Sequence, residues 1–187
     1  MFWSLLPLVL ACIALAGLAG TCAFRPGGIT AGPVPSYDAV AALNADAQTL
    51  GFPIRLPELP HGWQANSGGR GSVVDGRSDA SGQRLRAVTS RVGYISPTGM
   101  YLSLTQSNAD EIALVGSIQP GLHPTGAEDV DGTRWVVYRG EGDPVWTTRL
   151  AAKAGVAQLA ITGAAGAQQF RVLAAAVQSQ QPLPAGG

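Results

Sequence analysis

Cysteine is almost missing from this 187-residue chain: there are two, Cys12 and Cys22, and both fall within the first two dozen residues. Everything beyond Phe24 is therefore without disulfides, thiolate nucleophiles or cysteine–metal chemistry. Lysine is scarcer still, with Lys153 alone against eleven arginines, and histidine occurs only at His61 and His123. Charge is sparse and balanced, twelve acidic side chains against twelve basic ones. No run of like sign occurs that could grip phosphates or acidic lipid headgroups, and nucleic-acid binding is not expected on that ground.

Charge is missing altogether from Phe2 to Phe24, and the first charged side chain is Arg25. As a helix these 23 residues would rise roughly 35 Å, slightly more than the ~30 Å hydrocarbon core of a bilayer. Residues 1–24 are thus read as a transmembrane anchor, with the lipid bilayer as partner through residues 2–24. The run is longer than the apolar core of a cleaved signal peptide and has no basic stretch ahead of it. Thr21-Cys22-Ala23 has only the outline of a cleavage site, so length favours retention. Ala19-Gly20-Thr21 departs from the triplet that precedes an acylated lipoprotein cysteine, which leaves Cys22 as a thiol inside the bilayer. The flanking charges alone would orient the helix the wrong way by the positive-inside rule.

Beyond the anchor, residues 25–35 (RPGGITAGPVP) read as a flexible spacer. The 163 residues after Phe24 carry every charge, about 15% of them, well under the roughly 25% usual in soluble domains. One domain, 36–179, is expected, followed by a polar tail at 180–187 without order. Ser36 is placed to cap a helix from Tyr37 to about Leu50, with Val40, Leu43, Ala47 and Leu50 on one face. The three prolines between Phe52 and Pro60 predict an extended edge leading to a turn at His61-Gly62. Residues 66–83, rich in Gly and Ser, predict a mobile hairpin tip or loop.

From Arg84 the apolar positions alternate. Strand, turn at Ser96-Pro97-Thr98-Gly99 and returning strand from Met100 to Gln106 make a hairpin, with Tyr101, Ser103 and Thr105 facing away from Leu102 and Leu104. Asn108 is placed to cap a short helix from Ala109 to Val115, and a linker with Pro120, Gly121, Pro124 and Gly126 follows. Asp131-Gly132 marks a hairpin turn, after which strands at 133–139, 145–153 and 156–162 form a meander. A closing helix, about 164–178, carries Phe170, Leu173, Ala174 and Val177 on one face. The fold class is α+β: an N-terminal transmembrane helix, then a two-layer domain of antiparallel sheet with helices over one face.

The order of these pieces resembles a family of uncharacterised, membrane-anchored actinobacterial proteins known as domain of unknown function 4245. The residues that carry the likeness are the apolar segment ending Thr21-Cys22-Ala23-Phe24-Arg25-Pro26-Gly27, Gly51-Phe52-Pro53, Leu59-Pro60-His61-Gly62-Trp63, Val92 to Gly99, Gln106-Ser107, Pro124-Thr125-Gly126, Val130 to Trp135, and the helix to Val177. The likeness implies a basic stretch before the helix and a C-terminal domain outside the cytoplasm. It implies no reaction.

Nothing in the chain forms a catalytic motif. His61 and His123 stand beside prolines in expected turns, away from any serine or cysteine nucleophile pattern, and are read as surface residues. Asp75 with Asp79, and Asp129 with Asp131, do not complete a calcium loop. No catalytic residue, metal ligand or cofactor is assigned. The remaining pattern is aromatic. Trp63, Tyr94, Tyr101, Trp135 and Tyr138 come from strands or strand edges, with Arg91 and Arg134 able to rim a groove; Trp135 and Tyr138, three apart, face opposite ways. Most such rings pack sheet cores; the alternative is a groove for a lipid, glycan or peptide. The functional expectation is a single-pass cell-membrane protein whose non-enzymatic extracytoplasmic domain binds an envelope component or membrane partner. Its alternatives are a lipid or small-ligand carrier and a hydrolase with a dispersed site.

Overall fold

Successive hairpins build one sheet. The computed structural model describes residues 35–78 and 80–186. The anchor at 1–24 and the spacer up to Val34 lie outside the described residues, and among the described residues no helix is long and apolar enough to cross a membrane. In chain order the elements are α1 (Ala39–Thr49), β1 (Gln64–Ser78), β2 (Arg84–Ile95), β3 (Tyr101–Ser107), α2 (Glu111–Ile118), β4 (His123–Val130), β5 (Thr133–Arg139), β6 (Val145–Ala152), β7 (Gly155–Gly163) and α3 (Ala167–Gln178). The seven strands run antiparallel in the order β1-β2-β3-β7-β6-β5-β4. Two meanders, β1–β3 and β4–β7, are therefore joined where β3 pairs with β7, and α2 is the connection between them.

The turns explain the register. Asp131 and Gly132 both take positive φ, 48° and 82°, the left-handed pair that matches the twist of a two-residue hairpin. The Asp129 side chain accepts a bond from the Gly132 amide at 3.0 Å. Between β2 and β3 the Ser96 carbonyl accepts from the Gly99 amide at 2.9 Å.

Alternation then sorts side chains onto two faces. One face carries Tyr94, Leu102, Leu104, Trp135, Val137, Trp146, Leu159 and Ile161, closed over by Leu43 and Ala47 of α1 and by Phe170, Leu173, Ala174 and Val177 of α3. The buried stripe of α3 is the one that its periodicity predicts. On the opposite face a smaller cluster gathers Val73, Ala87, Tyr138, Val145 and Ala160 under Leu114 and Val115 of α2. The fold is α+β, an antiparallel sheet with three helices among the described residues, but the helices do not keep to one face. The short α2, the link between the meanders, covers the other.

Several local expectations are corrected. The Gly/Ser-rich stretch at 66–83 is chiefly strand: β1 pairs with β2 from Gln64 opposite Ile95 to Ser78 opposite Arg84. Pairing uses the backbone, so glycines can join a ladder without any side-chain periodicity. The linker around Pro124 is β4, an edge strand with an irregularity between Pro124 and Gly126, where a missing N–H is tolerated. The α1 cap is Asp38, whose carboxylate accepts from the Ala41 amide, and Val40 points to solvent at 55% exposure. Asp110 caps α2, while the Asn108 side chain accepts from the Val88 amide.

The proline segment is not an edge. Phe52, Pro53, Ile54, Arg55 and Pro57 are buried, and the Gln106 carboxamide holds both the amide and the carbonyl of Arg55, each at 2.8 Å. Proline carries no N–H to leave unpaired, so such a segment is buried without a ladder. The tail is also tied down. Leu183 donates to the Ile54 carbonyl at 2.8 Å, and Gln48 donates to the Pro184 carbonyl at 2.8 Å, so the expected loss of order does not begin at residue 180.

Candidate functional site

The residues singled out in the sequence divide among three environments. Tyr94 and Trp135 are buried under α1 and α3, with Trp63 packed at the margin of the same cluster. The Trp135 indole donates to the Gln178 side chain at 2.8 Å. Tyr138 faces the opposite way, as its three-residue offset from Trp135 requires, and donates to the Glu111 carboxylate at 2.7 Å. Burial, with that bond and the nearby carboxylate charge, pushes its phenol up to about 12. Arg134 is exposed on β5. It lies four strands from β2 in the sheet order, roughly 19 Å at ordinary strand spacing. These rings do not converge around a cavity. Packing accounts for Tyr94, Trp135 and Tyr138.

Arg91 and Tyr101 do meet. Both stand on the α2 face, Arg91 on β2 and Tyr101 on β3, with the Arg91 guanidinium 3.4 Å from the Tyr101 hydroxyl, the long limit of a hydrogen bond. Ser67, Gly69 and Gly71 of β1 pair with Gly93, Arg91 and Thr89 of β2, so these residues share that face. The result is a trough of about 460 Å³ lined by Ser67, Gly69, Gly71, Thr89, Arg91, Gly93 and Tyr101. It continues past Gly71, Thr89 and Arg91 into an adjoining recess of about 370 Å³ that reaches Thr105, Thr162, Asp143 and the C-terminal end of α2 at Gln119.

Glycine makes the trough. A Cβ on Gly93 would collide with the Ser67 hydroxyl and the Tyr101 ring, and one on Gly71 would lie 2.8 Å from the Thr89 hydroxyl. At Gly69 a Cβ would meet nothing within 4 Å, which places that position at the open side. Tyr101 thus rests on Gly93, filling the space that a larger residue would occupy. The same face of β3 presents Ser103, fully buried, whose hydroxyl finds no hydrogen-bond partner among the described residues. The alternate glycines of NSGGRGS and the single Gly93 opposite them were the sequence trace of this site. A reading keyed to aromatic side chains passes over them, because the informative positions are those without a side chain.

Elsewhere the titratable groups are dispersed. His61 is exposed in the turn before Trp63, and His123 is exposed as the first residue of β4, at the far edge of the sheet. Among the described residues no three His, Cys, Asp or Glu side chains gather as a metal ion would need. Buried Asp46 on α1 instead pairs with Arg70 and accepts from Ser90, a tie between helix and sheet.

No curated protein and no solved structure matches the chain. The family model described as protein of unknown function (DUF4245) matches residues 1–177, nearly the full length, and the chain belongs to that family.

Proposed function

We propose that this is a single-pass membrane protein whose non-enzymatic, extracytoplasmic domain binds a polar component of the cell envelope, or a membrane partner, through the glycine-floored trough. The carrying observation is the meeting of Arg91 and Tyr101 with the hydroxyls of Ser67 and Thr89 over a stretch of sheet kept open by glycine. An exposed cation, hydroxyls and one aromatic ring suit a hydroxyl-rich or anionic ligand better than an acyl chain, which puts lipid carriage second. A hydrolase needs a nucleophile within hydrogen-bond reach of a base, and neither histidine stands in the trough. The charge-free stretch at 2–24 supports the anchor.

The test places a photoreactive phenylalanine analogue at Tyr101 and, as control, at Val40 on α1, in the full chain in its native envelope. An adduct from position 101 that is missing at position 40, and that disappears when Gly93→Val fills the trough, is the expected outcome. Identical adducts from both positions, or none, would sink the reading. For topology, protease added to intact cells should digest the domain; protection until lysis would refute an extracytoplasmic placement.

A further inference from the structure

Arg55 poses a separate problem. It is 5% exposed, and a guanidinium keeps its charge in proteins. Burial alone depresses its proton affinity, a sign that the charge is poorly compensated. Its Nε donates to the Gln180 carbonyl at 3.1 Å, and Nη2 donates to the Ala151 carbonyl at 3.4 Å. Nη1, with two N–H groups, has no acceptor among the described residues. The two carbonyls offer partial charges, and the first follows the C-terminal end of α3, where the helix dipole is negative. Among the described residues no Asp or Glu lines the cavity of about 740 Å³ to whose wall Arg55 contributes, so none of them supplies a full countercharge there.

The same wall carries a second cation, Lys153 at the tip of the β6–β7 hairpin, together with Gln178, Gln180 and Gln181. Two cations, several amides and no acid form a donor-rich surface. The backbone of Arg55 is held by Gln106, and its guanidinium by the Gln180 and Ala151 carbonyls. An uncompensated buried charge destabilises the fold, and that cost falls when an oxyanion supplies the missing acceptor.

We infer that Arg55 and Lys153 form an oxyanion-binding site of the phosphate type between the β6–β7 hairpin and the C-terminal strap at 180–183, distinct from the trough on the other face. The phosphate belongs either to a free small molecule or to a lipid headgroup. The test uses the full chain in a micelle of neutral headgroups and follows thermal unfolding during titration with inorganic phosphate, against chloride at equal ionic strength. A saturating rise in Tm, roughly 5–10 °C at a hundredfold excess over Kd, is expected with phosphate and not with chloride. Arg55→Met should abolish the rise, and Lys153→Gln should move its midpoint to about threefold higher phosphate or more. Lys153 is exposed, so that variant carries the test even where Arg55→Met does not fold. Replacing part of the micelle with phosphatidylglycerol separates the sources: a rise with both identifies a free-phosphate site, and a rise with lipid alone identifies a headgroup site. No rise with either, an equal rise in chloride, or a phosphate response unchanged in Lys153→Gln would overturn the proposal.

Discussion

On one face of the sheet Trp135, Trp146, Phe170 and Leu173 are sealed beneath α1 and α3, with the Trp146 and Phe170 rings 5.2 Å apart. On the other, among the described residues one short helix covers part of the surface, and Gly69 and Gly71 leave a stretch open beside Arg91 and Tyr101, whose ring rests on Gly93. The same strands supply both faces, since successive residues point to opposite sides. The closed face buries large apolar area, the main favourable term in folding. The open face forgoes that area along β1 and β2, where glycine weakens a strand by removing its side chain.

The sharpest way to break this contrast is Trp135→Ala. Loss of a fully buried ring and of its bond to Gln178 should cost about 3–5 kcal/mol, read from urea unfolding; a loss under about 1 kcal/mol would mean that the closed face is not the main core. Next comes Gly93→Val on the open face. Crowding against Ser67 and Tyr101 should cost about 1–3 kcal/mol, and the share due to the Tyr101 ring should vanish in a Tyr101→Ala background, where the Ser67 contact alone remains. Equal cost in both backgrounds would show that Tyr101 does not rest on Gly93.

A third test compares one buried tyrosine on each face. Tyr138 is raised to about 12 and Tyr94 is raised by burial as well, both above the ordinary value of about 10. Raised folded values favour the protonated phenols in the native state. Their stabilisation is whole below pH ~10 and is lost as pH climbs from there toward the folded values, at about 1.4 kcal/mol per pH unit for each tyrosine. Denaturant midpoints across that window should fall in the wild type, and Tyr138→Phe should roughly halve the slope. An unchanged slope would remove Tyr138 from the account. Smallest in stability is Arg91→Gln, expected within about 0.5 kcal/mol of wild type by urea unfolding while losing the crosslinked adduct at position 101. A large destabilisation would make Arg91 structural and blur the two faces.

Legibility followed the side chains. The Ser96–Gly99 hairpin, the Asp131-Gly132 turn, strand β5 and the α3 stripe were readable, because alternation, turn chemistry and helical spacing are local properties. β1 was not, since its glycines carry no pattern and its order comes from the β2 backbone. Nor was the burial of the proline segment, which depends on Gln106 from a strand 51 residues away. Of the site, Arg91 and Tyr101 were named among residues that packing claims instead, and the glycines between them went unread.

By itself the sequence determined a charge-free stretch long enough for a bilayer, a sparsely charged α+β domain without cysteine chemistry, and the two-face alternation of its strands. These rest on composition and on periods of two and 3.6 residues, which need no partner. Only the tertiary structure decided which face each helix covers, which aromatic rings are engulfed, and that Arg91 and Tyr101 meet over glycine while Arg55 lies buried without a carboxylate among the described residues. Those outcomes depend on strand order and register, which join residues far apart in the chain and leave no mark in any single segment.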